Sequence, residues 1–187
     1  ELESFLSNDF SQWYIRRSRG NTNAAFFATS YEVLTTFAKL IAPFMPFVSE
    51  EIYKNLTGEE SVHMTSWPEY NQDLISDSLE LEMSEAKKIV ELGHAERKSK
   101  QIPVRQPLSK IILSHPIEFS KEVEKIIAEE LNVLLVEYKK SEEVSIELDT
   151  NIDEKLTQMG LAREWTRSIQ QERKTLGTEL NDYVDVV

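Results

Sequence analysis

Apolar residues in the first sixty positions recur every three or four residues, the spacing that predicts amphipathic helices. Three such segments follow one another, running from Leu2 to Arg17, from about Asn23 to Ile41 and from Pro46 to Leu56. Gly20, Pro43 and Gly58 provide the stops between them, and a proline suits the first position of the third helix. The second segment has a wide apolar face, which predicts a helix buried among others. These segments predict the core of an antiparallel helix bundle.

The pattern changes in the second half of the chain. Asp77 with Glu80 resembles a capping box and opens a long helix that leads into the stretch "ERKSKQIPVRQPL". Next come a short apolar strand "LSKIILSH", a helix "IEFSKEVEKIIAEEL", the strands "NVLLVEY" and "VSIELDT", and a helix from about Asp153 to Thr175. Trp165 lies on the apolar stripe of the last helix and is expected in the core. The predicted fold is therefore mainly α, with a helical bundle over 1–100 and a small α/β (β-α-β-β-α) subdomain over 101–187.

Composition narrows the class of protein. The 187 residues are 40% hydrophobic and 29% charged, as in an ordinary soluble globular protein. The apolar runs are too short to span a bilayer, no secretory segment opens the chain, and cysteine is absent, which fits a cytoplasmic protein. The chain starts without Met and already inside a helical pattern, so we expect a piece of a longer polypeptide.

Catalytic chemistry has little support in the sequence. The three histidines are scattered, no glycine-rich phosphate loop is present, and the paired carboxylates belong to a chain with 33 acidic residues. Without cysteine, a thiol nucleophile and cysteine-ligated zinc are excluded. We expect neither catalytic residues nor a metal site in this chain.

Charge is unevenly distributed in a chain of net charge -12. Five basic residues and one acidic residue lie between His94 and Lys110, whereas five lysines and twelve acidic residues lie between Ile117 and Lys155. In the stretch "WYIRRSR", a second basic group, Arg16, Arg17 and Arg19, follows Trp13 and Tyr14. Basic groups interleaved with aromatics suit single-stranded RNA, because cations neutralise phosphates and aromatic faces stack on unpaired bases. Two alternatives stay open: cations can complement the dipole at a helix end, and Trp13 suits a core as well as a stacking platform.

Several stretches resemble a known family. "DFSQWYIRRSR", "LIAPFMPFVSEEIYKNL" and "SVHMTSWP" are similar to the anticodon-binding region of class I aminoacyl-tRNA synthetases. "ERKSKQIPVRQPLSKI" and the stretch beginning "LDTNIDEKLTQMGLAREWTRSIQQERK" resemble the isoleucyl-tRNA synthetase family in particular. The matches span Asp9 to Val184 in the correct order, while the family's catalytic signatures do not occur here.

The resemblance implies a fragment of an isoleucine–tRNA ligase that holds the anticodon stem-loop. The parent enzyme would use ATP and Mg, and this fragment would bind no cofactor and be inactive alone. The expected partners are the isoleucine tRNA and the missing catalytic and editing domains, with no membrane and no DNA. The expected RNA-binding residues form two groups, Trp13, Tyr14, Arg16 and Arg17 in the first helix and Lys98, Lys100, Arg105 and Gln106 in the basic stretch. Cations would anchor phosphates, Trp13 or an arginine plane would stack on a splayed base, and Gln106 would contact a base edge.

A different class of function is also open. The acidic stretch from Ile117 to Lys155 suits a basic protein partner better than RNA, which favours a protein-interaction or scaffold domain. Binding of tRNA would distinguish the two functions.

Overall fold

The computed structural model describes residues 1–20, 23–179 and 182–185. The chain divides into two compact units, Glu1–Leu74 and Ile75–Val187. The boundary predicted at 100/101 falls inside the second unit, because the long helix before it packs on the elements that follow it. None of the helices in the described part of the chain is both long and apolar enough to cross a bilayer.

The first unit is helical. Its first segment starts as α1 (Leu2–Ser4), continues as a π-helix (Phe5–Ile15) and ends as α2 (Arg16–Ser18). Two longer helices follow, α3 (Ala24–Ile41) and α4 (Pro46–Thr57), and then short 3₁₀ turns at Val62–Met64 and Gln72–Leu74. Asn23 caps α3 by accepting a hydrogen bond of 2.9 Å from the backbone N–H of Phe26. The predicted proline at the first position of α4 and the glycine stop at Gly58, with φ of 72°, are confirmed.

One core cluster of this unit joins α3, α4 and the turn after them. It consists of Ala38, Ala42, Tyr53 and Val62, against which Ile52 packs. The carboxylate of Glu50 fixes the turn after α4 by accepting hydrogen bonds from the Ser61 hydroxyl (3.0 Å) and the Val62 N–H (2.9 Å). The hydrogen bond from Lys54, more than any other contact, lowers the pKa of the Glu50 carboxyl.

The prediction that α3 is buried among other helices holds only for its C-terminal half. Phe27 is 60% exposed and Tyr31 is 48% exposed. Only Ala38 and Ile41 of α3 are buried, since α4 and the following turn cover its C-terminal half. A wide apolar stripe indicates surface that a helix can bury, but the elements present decide how much of it is covered.

The second unit contains three helices and a three-stranded sheet. Its elements are α5 (Asp77–Ser99), β1 (Leu108–His115), α6 (Lys121–Leu131), β2 (Val133–Lys140), β3 (Ser145–Leu148) and α7 (Glu154–Thr175). The strand order is β2-β1-β3, with β1 parallel to β2 and antiparallel to β3. The predicted β-α-β-β-α order and the mainly-α class are confirmed, and the predicted strand "LSKIILSH" coincides with β1.

The predicted cap of α5 needs a correction of one residue. Ser76, not Asp77, is the N-cap, because its side chain accepts a hydrogen bond from the N–H of Leu79. Asp77 and Glu80 lie in the first turn, where their negative charges favour the helix dipole.

Close packing of α5 on α6 depends on Gly93. Ala86, Ile89 and Val90 of α5 are buried, and Gly93 continues this face one turn later. A Cβ at position 93 would lie 2.5 and 2.6 Å from the two methyl carbons of Leu131, which is fully buried. The missing side chain therefore permits the helices to approach closely.

Replacing Gly93 with alanine is expected to lower the free energy of unfolding by about 1–2 kcal/mol. Overpacking of this kind lowers the free energy of unfolding by about 1–3 kcal/mol. The better helix propensity of alanine offsets up to about 1 kcal/mol of this loss. Urea unfolding followed by circular dichroism measures the difference. The control is Gly20→Ala, since a Cβ there meets no atom within 4 Å. A Gly93→Ala protein as stable as the wild type would contradict the packing argument.

Candidate nucleic-acid interface

The segment from the last turn of α5 to the start of β1, residues 96–107, is here called the elbow. It begins in the last turn of α5, whose end is closed by hydrogen bonds from Gln101 N–H to the Lys98 carbonyl (3.1 Å) and from Ile102 N–H to the Arg97 carbonyl (2.9 Å). Gln101 adopts a left-handed conformation, with φ of 57°. This is the Schellman arrangement that commonly ends helices, and it turns the chain sharply away from the helix axis.

Arg97 is the structural anchor of the elbow. It is 1% exposed, and its guanidinium donates to four backbone carbonyls. The acceptors are Leu131 (2.9 Å), Asn132 (3.1 Å), Pro103 (3.1 Å) and Gln106 (3.0 Å). Two of these carbonyls end α6, where a cation also complements the helix dipole. Arg97 thus joins the elbow to the C-terminal end of α6.

Burial lowers the pKa of the Arg97 guanidinium to about 10. The side chain still carries its charge at neutral pH, and the carbonyl oxygens replace the water that burial removes. The sequence pattern did not predict that Arg97 is buried and holds the elbow in place. Arg97 stands in the charged run "ERKSK", which is typical of a solvated helix end, and its acceptors at 131 and 132 lie 34 and 35 residues away.

Gln106 joins the elbow to α7. Its amide Nε2 donates to the carbonyls of Pro107 and Leu156, both at 3.0 Å. Its Oε1 would lie only 2.4 Å from a Cβ at position 160, so Gly160 leaves room for this side chain. Both amide hydrogens therefore have partners inside the protein, so the structure gives Gln106 a role in positioning the elbow.

The remaining predicted elbow residues are on the surface. Lys98 is exposed. Lys100 forms an ion pair with Glu96 (3.0 Å), and Arg105 forms one with Glu164 of α7 (3.1 Å). The side chain of Arg105 is 46% exposed and that of Lys100 is 35% exposed. Exposed ion pairs contribute little to stability, so these cations can exchange their carboxylate partners for phosphate at small cost.

Lys110, the last residue of the basic stretch, belongs to the sheet. It bridges β1 and β2 through an ion pair of 2.9 Å with Glu137, and this contact is the main reason that the Lys110 pKa is raised. Of the five basic residues between His94 and Lys110, Arg97 is buried and Lys110 bridges two strands, which leaves three on the surface of the elbow.

The first-helix group mixes packing with exposure. Tyr14 lies between Phe10 and Phe26, with ring centroids 5.9 and 5.8 Å away, so its ring packs within the first unit. The guanidinium of Arg17 lies 5.9 Å from the centre of the Trp13 ring, and both side chains are half-buried. The Nε of Arg16 donates to the carbonyl of Gln12 at 2.8 Å. Trp13 and Arg17 thus form a cation–π pair.

The histidines and carboxylates of the described residues form no group of three that could hold a metal ion. His115 is buried and has a local role: its Nδ1 lies 2.7 Å from the Ile117 carbonyl and its ring packs on Phe119.

Comparison with known proteins places these features in a family. Residues 1–112 match the model of the anticodon-binding domain of tRNA ligase. An isoleucine–tRNA ligase of Clostridium tetani is 36% identical over 94% of this chain and 18% of its own length. Isoleucine–tRNA ligases of Bacillus thuringiensis and Chlamydia caviae are 30% and 43% identical over 97% and 67% of this chain.

The chain spans only part of these relatives, 26% of the Bacillus protein and 13% of the Chlamydia protein. The family match covers all of the first unit and continues through α5 and the elbow into β1. The chain belongs to the family of anticodon-binding domains of tRNA ligases.

Proposed function

We propose that this chain is the anticodon-arm recognition module of an isoleucine–tRNA ligase, the ATP-dependent enzyme that attaches isoleucine to its tRNA. The match of residues 1–112 to the anticodon-binding domain carries this proposal, and the names of the relatives support the choice of amino acid. ATP and Mg are assigned to the catalytic part of the parent enzyme, which would act in the cytoplasm. We expect no aminoacylation by the chain alone.

The exposed cations would hold the phosphates of the anticodon arm. Lys98, Lys100 and Arg105 are all on the surface of the second unit, where Lys100 pairs with Glu96 and Arg105 pairs with Glu164. Phosphate contacts fix the position of an RNA, and base contacts select its sequence. In the first unit, Trp13 and Arg17 would contact a base of the RNA, and Tyr14 would position the residues around it. Gln106 would position the elbow in the second unit.

The proposal is tested by fluorescence titration of the chain with a labelled anticodon stem-loop of isoleucine tRNA. We expect binding that weakens as salt is added, because displaced counterions contribute to affinity. A stem-loop with the same stem and a scrambled anticodon is the control. Equal affinity for the two loops would contradict anticodon recognition, and absence of binding to both would favour the acidic protein-interaction domain.

A further inference from the structure

A cleft lies between the elbow and the first three turns of α7. Its volume is about 340 Å³, within the range of about 300–1,000 Å³ typical of small-molecule sites. Ile102 and Leu161 provide apolar walls, and Thr157 is also part of the lining. The carboxylate of Glu164 and the guanidinium of Arg105 also line it and meet at 3.1 Å. The cleft thus combines apolar walls with one cation and one anion.

This combination matches the parts of a single nucleotide. An unpaired base has apolar faces that pack against aliphatic and aromatic side chains, and its edge carries N–H groups that a carboxylate can accept. Arg105 is exposed and suits the phosphate of the same nucleotide.

Trp165 follows the cleft-lining residues of α7 along the helix. It follows Leu161 by four residues, so the two side chains lie on the same face of the helix, one turn apart. The ring of Trp165 is 71% exposed and Leu161 is 50% exposed. The expectation that Trp165 belongs to the core is therefore wrong, because of the α7 residues only Leu156 and Gly160 are buried. A large exposed aromatic beside a cleft is suited to stacking on a base.

The walls of the cleft are fixed before any ligand arrives. Gln106 joins the elbow to the Leu156 carbonyl, and Arg97 holds the elbow to the end of α6. Asn132 accepts a hydrogen bond from Arg163 of α7 and donates one of 2.8 Å to the Val104 carbonyl. Preorganised walls reduce the cost of ordering side chains on binding.

We infer that this cleft binds one unpaired nucleobase of the tRNA anticodon loop, with Trp165 stacking on that base or on its neighbour. The inference rests on the proposed function, since it names where a loop nucleotide is held. It assigns base contacts to α7, a helix that lies beyond residues 1–112 of the family match.

The test uses isoleucine tRNA anticodon stem-loops that carry 2-aminopurine at one unpaired position at a time. The wild-type chain is expected to change the fluorescence of the probe at one or two adjacent positions. Trp165→Ala and Leu161→Gln should remove that change and weaken binding about tenfold, the effect expected for one stacking interaction. Trp165→Phe keeps an aromatic face and should retain most of the affinity. Both residues are exposed, and unchanged thermal melts would show that the variants fold.

Ile117→Ala is the matched control. Ile117 is 59% exposed and lies just after β1, at the opposite end of that strand from the elbow. Its removal takes away exposed apolar surface without touching the cleft, so binding should stay at the wild-type value. If the wild type prefers the isoleucine loop but the Trp165 and Leu161 variants bind it equally well, the cleft inference is overturned and the proposed function stands. If the wild type binds no loop, the cleft inference and the proposed function both fail.

Discussion

Replacing Arg97 with methionine is expected to lower the free energy of unfolding by about 3–5 kcal/mol. Methionine keeps much of the side-chain volume but leaves the carbonyls of Leu131, Asn132, Pro103 and Gln106 without the guanidinium that now donates to them. A buried polar group without a partner costs about 1–3 kcal/mol, and several are affected together. The elbow would also lose its attachment to α6. Chemical unfolding at constant pH measures the change.

Two controls separate this role from simple removal of charge. Lys98→Met removes a charge from the neighbouring position, but Lys98 is exposed and the change should stay within about 0.5 kcal/mol. Arg97→Lys keeps the charge but replaces a planar five-donor group by one ammonium, so it should recover only part of the stability. An Arg97→Met protein whose free energy of unfolding lies within about 1 kcal/mol of wild type, on the order of one hydrogen bond, would show that the four hydrogen bonds are not essential.

The triple variant Lys98→Ala, Lys100→Ala, Arg105→Ala is expected to weaken binding of the isoleucine anticodon stem-loop by at least about tenfold at about 0.1 M salt. Each phosphate of single-stranded RNA that a cation no longer neutralises should reduce the slope of log affinity against log salt by about 0.7, so the triple variant should reduce it by about 2. The fold should remain intact, since all three cations are on the surface and surface ion pairs contribute little to stability. Titrations at several salt concentrations give both quantities.

The matched control removes the same number of positive charges elsewhere in the second unit. Lys121, Lys125 and Lys139 are exposed and lie on α6 and β2. Their replacement by alanine makes the chain equally more acidic, so any effect of net charge alone appears in both variants. If the control and the elbow variant show the same reduction in affinity and in salt slope, the elbow does not contact phosphates directly.

Local pattern predicted most elements of the second unit closely. β1 coincides with the predicted strand, and the last helix begins at Glu154 with Asp153 as its cap, within one residue of expectation. These elements have strong local signals, since a short apolar run indicates a buried strand and a capping side chain precedes a helix. The π-helical geometry of Phe5–Ile15 has no comparable signal, and the sequence spacing predicted only a helix there.

The sequence by itself determined the elements, their order and the concentration of basic residues in the elbow. It also carried the motifs of the family to which the chain belongs. Only the tertiary structure decided what each basic side chain does: Arg97 is buried against four carbonyls while Lys98, its neighbour, is exposed. It likewise left Trp165 in solvent although its spacing fits a core stripe. The reason is that burial and hydrogen bonding depend on residues far away in the chain. Local periodicity carries no information about those distant partners.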